Sequence, residues 1–127
     1  MIAKAQTVAS DETIEEGVLA KIINFDFDSY EIKHEYRKTL EEIAGYLKEY
    51  RALNIIIEGH CDERGTREYN LALGMRRADA VKKYLEDLGI EDRRLNIVSY
   101  GEDKPLDPAS NEEAWTKNRR AQFKRAQ

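Results

Sequence analysis

Two stretches of the chain repeat apolar residues at helical spacing. From Ile32 to Tyr50, the residues Ile32, Tyr36, Leu40, Ile43, Ala44 and Leu47 fall on one stripe, which predicts an amphipathic helix. From Arg67 to Leu88 the stripe is Leu71, Met75, Ala78, Val81, Leu85 and Leu88, and Gly89 follows as a helix stop. Other stretches have extended character. Ala20–Phe27 (AKIINFDF), Leu53–Glu58 (LNIIIE) and Arg94–Tyr100 (RLNIVSY) each read as a strand. In Arg119–Lys124, Ala121 and Phe123 alternate against Arg120, Gln122 and Lys124, which predicts a last strand. GEDKPLDPAS carries both prolines and reads as a loop, with a short helix at Asn111–Lys117 after it.

The order β-α-β-α-β-(α)-β puts helices between strands, so at least part of the pairing is parallel. The expected fold is α/β (α+β): a two-layer sandwich with a mixed β-sheet of about four strands and the helices on one face. Residues 1–19 show no periodicity and are expected to form a weakly ordered arm, with residues 20–127 as the domain.

Composition narrows the function classes. At 127 residues the chain has room for one domain and a core that needs no disulfide or metal. The net charge of −4 disfavours nucleic acid as the main partner, although Lys117, Arg119, Arg120, Lys124 and Arg125 make the end of the chain basic. That basic end lacks a Gly-rich or aromatic-basic motif. The single cysteine, Cys61, has no intramolecular partner. No apolar run is long enough to span a membrane, and the first residues contain no apolar signal core.

The segment GHCDERGTREYN at 59–70 is too charged for a plain turn. Asp62 follows a buried strand and precedes a helix. One reading makes it a loop carboxylate that caps the helix or pairs with Arg64. The other looks along the second helix. There Arg76 points to solvent, Arg77 falls at the border of the buried face, and Asn70, Leu73 and Arg77 make a rim stripe able to face Asp62. A carboxylate and a guanidinium held apart suit a zwitterion, one taking an ammonium and the other a carboxylate. Arg77 also fits a snorkelling border arginine or an internal ion pair. In FDFDSY, phenylalanines facing the core would leave Asp26 outward and Asp28 at the strand end, either closing a turn or forming a second wall of the site.

Catalysis and metal binding find less support. His60, Cys61 and Asp62 are adjacent in sequence and poorly placed to converge on one ion, and His34 lies on a polar helix face. Asp62 and Glu63 point apart on an extended loop, and Cys61 lacks a His–Asn partner set. The expectation is a non-enzyme with no cofactor and no metal.

The block EGHCDERGTREYNLALGMRRADAVKKYL at 58–85 resembles the OmpA-like peptidoglycan-binding domain family. FDFDSYEI at 25–32, IVSYGEDKP at 97–105 and KNRRA at 117–121 agree in order and spacing. DERGTxEYNxxLGxRRAxAV points to its branch of peptidoglycan-associated lipoproteins. The resemblance implies non-covalent binding of the peptidoglycan stem peptide through meso-diaminopimelate, with Asp62 and Arg77 as ligand-binding residues. It implies Phe27 and Asp28 in the pocket wall, Asn70 and Leu73 facing the ligand or holding the loop, and Arg119 or Arg120 in support. It further implies a tether on the periplasmic side of the outer membrane within the Tol–Pal envelope system, with a Tol-system propeller protein as partner. The alternative is an envelope protein–protein interaction domain with weak or no wall binding. Cys61 stands where the family usually has Thr or a small residue. The branch's lipid-attachment cysteine is absent, so either a leader has been removed or the protein is unlipidated.

Overall fold

Ile55 and Ile57 are fully buried while Ile56 and Glu58, alternating with them, are partly exposed, so one face of their strand carries the core. The structure, a computed structural model, describes residues 17–126. Four strands form one sheet: β1 (Ile23–Asn24), β2 (Ile55–His60), β3 (Leu95–Gly101) and β4 (Arg120–Arg125), in the order β1-β4-β2-β3. β2 pairs parallel with β3 and antiparallel with β4, and β4 pairs antiparallel with β1. The sheet is therefore mixed, as the helix between β2 and β3 requires.

Helix α1 (Arg37–Glu49) follows a 3-10 turn at His34–Tyr36. Helix α2 is Arg67–Asp87 and helix α3 is Glu112–Asn118. Thr66 caps α2, its Oγ1 accepting from the Tyr69 amide at 3.1 Å, and Asn111 caps α3 through the Ala114 amide at 2.8 Å. The end of α1 has a different solution. Buried Arg94 donates to the Leu47, Tyr50 and Leu53 carbonyls, which stops the helix C-terminus from carrying unpaired acceptors. Leu40, Ile43 and Leu47 of α1 meet Val81 and Leu85 of α2 over Ile23, Ile55, Ile57 and Leu95.

The second stripe differs from the expectation. Met75 is 40 % exposed and Leu71 half-buried, whereas Asn70, Leu73, Gly74 and Arg77 point inward with Ala78, Val81 and Leu85. The cause is a backbone contact: a Cβ on Gly59 of β2 would lie 1.7 Å from the Gly74 carbonyl oxygen. The helix rests on the sheet through these glycines, and this rotates the first half of α2 away from the apolar stripe.

The first strand is also shorter than Ala20–Phe27. The Phe25 amide still bonds to the Arg119 carbonyl at 3.0 Å, but the chain then turns, with Ser29 N–H on the Asp26 carbonyl at 3.2 Å. Asp28 sits in this turn at φ 56, a left-handed conformation that Asp tolerates better than most residues. Leu19 is buried in the core, one residue before the expected start of the domain. Residues 1–16 of the expected arm lie outside the described residues. Among the described residues no helix is long and apolar enough to cross a membrane.

Candidate functional site

The sheet opens into a cleft of about 260 Å³ where β2 runs out, between the 26–29 turn and the first half of α2. Phe27, Asp28, Asp62, Asn70, Leu73 and Arg77 all line it, together with Cys61, Arg64, Gly65 and Tyr69. Each element has a physical reason to be there. The Gly59–Gly74 contact draws α2 onto the sheet, and Gly65 at φ 99 turns the chain back into the Thr66 cap.

Arg77 is fully buried rather than at the border of the helix face. Its Nε donates to the Ser29 carbonyl at 2.8 Å, Nη1 to the His60 carbonyl at 2.9 Å and Nη2 to the Asp26 carbonyl at 3.1 Å. One side chain thus ties the 26–29 turn to the end of β2. Burial pulls its pKa below the usual value, but a guanidinium in a protein keeps its proton. The result is a fixed positive charge in the cleft wall, with N–H groups beyond those used on the carbonyls.

Asp62 is 4 % exposed and carries the opposite charge. Arg64 grips it twice, Nε on Oδ1 at 3.2 Å and Nη2 on Oδ2 at 2.9 Å, and the Arg64 amide adds a third bond to Oδ1 at 2.9 Å. Arg119 Nη1 reaches Oδ2 at 3.4 Å and its Nε donates to the Phe25 carbonyl at 2.9 Å. Burial pushes the Asp62 carboxyl up, but the hydrogen bonds from Arg64 and Arg119 outweigh it and hold the group below the ordinary aspartate value. The reading in which Asp62 pairs with Arg64 therefore describes this structure, while Thr66 does the capping.

Asp28 is exposed and accepts from the Tyr69 hydroxyl. Phe27 is 58 % exposed, not inward with Phe25 as simple alternation suggests, because the turn at 26–29 breaks the strand. Asn70 is buried and spreads its amide over the Asp62 and Arg64 carbonyls and Glu102 Oε1, so it holds the loop. Cys61 donates from Sγ to the Asn70 carbonyl at 3.2 Å, and burial raises its thiol to about 11. It is a buried, hydrogen-bonded thiol held in its protonated form.

Of the two arginines in NRR, Arg119 is at the cleft and Arg120 is not. Strand alternation sends Arg120 to the opposite face of the sheet, where it bonds to Gln122 Oε1 and the carbonyls of Lys104 and Asn118. His60 shares that face, ring-stacked on Tyr100 at 5.5 Å. Burial first, and then Arg120, lower its pKa to about 4. Sequence reasoning undervalued Arg64 and passed over Tyr69 and Trp115. Arg64 stood two residues from Asp62, the spacing of an Asx-type turn. Its guanidinium carbon lies 4.1 Å from the ring centres of both Phe27 and Trp115, and the Trp115 indole N–H donates to Glu63 at 3.0 Å. Trp115 is far away in sequence and left no local signal.

The small α+β domain thus presents fixed charges of both signs in one cleft at the strand ends, an arrangement with the chemistry to hold a ligand of mixed charge. The OmpA family matches residues 24–119, and the chain belongs to that family. It is 50% identical over 99 residues to the "Peptidoglycan-associated lipoprotein" of Haemophilus influenzae, covering 78% of this chain and 65% of the relative. It is 40% identical over 111 residues to the protein of the same name from Buchnera aphidicola, covering 87% of this chain and 64% of the relative. The chain thus spans less than two thirds of the length of these relatives. The crystal structure of the peptidoglycan-associated lipoprotein from Burkholderia pseudomallei superposes with a TM-score of 0.83 at 44% identity, over 86% of this chain and 93% of that one. The C-terminal domain of Helicobacter pylori MotB superposes at 0.77 with 24% identity, over 84% of each chain, a likeness of fold alone.

Proposed function

We propose that this domain binds peptidoglycan non-covalently through the meso-diaminopimelate residue of the stem peptide. In doing so it ties the outer membrane to the cell wall, without catalysis. The observation that carries the reading is the single cleft in which buried Asp62 and buried Arg77 stand together beside Asp28 and Leu73. The free end of diaminopimelate is a zwitterion on an aliphatic stem. Asp62 takes the ammonium, the N–H groups of Arg77 left over from the carbonyls take the carboxylate, and Leu73 and Phe27 receive the stem. Arg119 steadies Asp62, and Asn70 steadies its loop. Relatives named as peptidoglycan-associated lipoproteins support the wall as the target. Membership of the Tol–Pal system, with its propeller protein as partner, belongs to the same proposal.

Co-sedimentation with intact sacculi tests it. The wild type is expected to pellet with sacculi and Asp62→Ala to stay in solution. A folded Asp62→Ala protein that pellets as well as wild type would remove the cleft from wall binding. Failure of the wild type to pellet would favour a protein-interaction domain.

A further inference from the structure

Asp62 has no free side. Both its oxygens accept from Arg64, and Oδ2 also faces Arg119. A ligand ammonium reaches this carboxylate only by replacing one arginine. Arg119 is held by the Phe25 carbonyl and is nearly buried, and Arg77 is tied to three carbonyls from two segments. Arg64 differs from both: its side chain is 32% exposed, and apart from Asp62 its guanidinium rests only on the faces of Phe27 and Trp115.

We infer that Arg64 makes the cleft select a zwitterion: the ligand's ammonium replaces the Arg64 guanidinium on Asp62, and the released guanidinium joins Arg77 on the ligand's carboxylate. This rests on the wall-binding reading above and adds a specificity-determining residue to it. The reasoning is charge conservation in a desolvated place. A ligand with an ammonium alone, such as a lysine side chain, breaks a bidentate ion pair and leaves Arg64 only the weaker fields of Glu112 and Glu63, with no carboxylate hydrogen-bonded to it. A ligand with both groups inserts into the pair, so each protein charge exchanges one partner for another. The two rings keep the released guanidinium near the cleft mouth through cation–π contact, and its place over the Trp115 ring shifts as it turns from Asp62 to the ligand.

The test compares two soluble muropeptides, one with meso-diaminopimelate and one with lysine at the same position, on wild type and Arg64→Gln. Wild type is expected to prefer the diaminopimelate form. In Arg64→Gln the preference should shrink by roughly tenfold, mainly through tighter binding of the lysine form, since the cost of breaking the pair is gone. An unchanged preference in the folded variant would overturn the inference and leave the wall-binding reading standing. Equal binding of both ligands by wild type would overturn the inference and, with it, the diaminopimelate clamp. Binding of neither ligand by wild type would sink the wall-binding reading and this inference with it. Wild type supplies a second readout, because Trp115 is the one tryptophan of the chain. Saturation with the diaminopimelate form should shift its emission as Arg64 changes partner. Emission that stays constant at saturation would overturn the inference even if Arg64→Gln failed to fold.

Discussion

Gly59 and Gly74 meet backbone to backbone, with room for no side chain: a Cβ on Gly59 would stand 1.7 Å from the Gly74 carbonyl oxygen. Everything at the cleft depends on that approach, since it sets how deeply the start of α2 lies against β2. Gly59→Ala should therefore destabilise by more than about 3 kcal/mol, because the clash is with backbone and not with a side chain that can turn away. Gly45, in α1, has open space around its Cβ position. Gly45→Ala should stabilise by roughly 0.5–1 kcal/mol through helix propensity alone. Urea unfolding of the two variants checks both signs, and similar effects from both would contradict the packing described.

Arg77 is a structural staple as well as a cleft charge. Arg77→Ala leaves the Ser29, His60 and Asp26 carbonyls without this donor, at about 1–3 kcal/mol for each one that stays buried. Its unfolding midpoint should fall sharply. Arg77→Lys, which keeps the charge but cannot reach three carbonyls with the same fork, should recover only a minor part of the stability. Full recovery by lysine would mean that charge, not the three hydrogen bonds, is what the site requires.

His60 contributes a pH dependence whose direction follows from its lowered pKa. The unfolded chain takes up the proton near 6.5, the folded protein only near 4. Between those values the unfolded state binds more protons, so stability falls as pH drops, by at most about 1.4 kcal/mol per pH unit, and the loss levels off below the folded value. Arg120 and Lys104 oppose the charged ring and Glu58 favours it. His60→Gln should flatten the stability profile in this window. Asp62 acts lower on the scale: its stabilisation is present above the ordinary aspartate value and is lost as pH falls through the folded one. A wild-type profile as flat as that of His60→Gln would contradict the buried neutral ring.

Thr66 should cost about 1 kcal/mol when changed to Ala, since its hydroxyl caps α2 through the Tyr69 amide. Because Tyr69 also bonds to Asp28, the same variant should loosen the turn on the far side of the cleft. Faster amide exchange at Asp28 and Ser29 would show that coupling. Unchanged exchange there would limit Thr66 to the helix.

The order of elements was legible because periodicity reports burial directly: Leu40, Ile43, Leu47, Val81 and Leu85 are core in sequence and in space. The start of α2 was misread because its inward face is built from Gly74, Asn70 and Arg77, which no hydrophobic pattern marks. Phe27 lines the cleft as the resemblance implied, but from a turn that replaced the strand and not by strand alternation. Asp62 and Arg77 were found as chemistry, but not their partners. The three carbonyls on Arg77 come from distant segments, and the Phe27–Arg64–Trp115 stack joins residues far apart in sequence. Only the strand parity of Arg119 and Arg120 could have separated that pair beforehand, through the inward Ala121 and Phe123.

The most direct test of the central claim is an NMR titration of the nitrogen-labelled domain with a soluble muropeptide that carries meso-diaminopimelate. The account predicts that the amides of Asp28, Asp62, Arg64 and Asn70 shift together with one affinity, while Val98 and Gln122 on the other face of the sheet stay in place. Shifts centred on Val98 and Gln122, or no shifts at all, would contradict it.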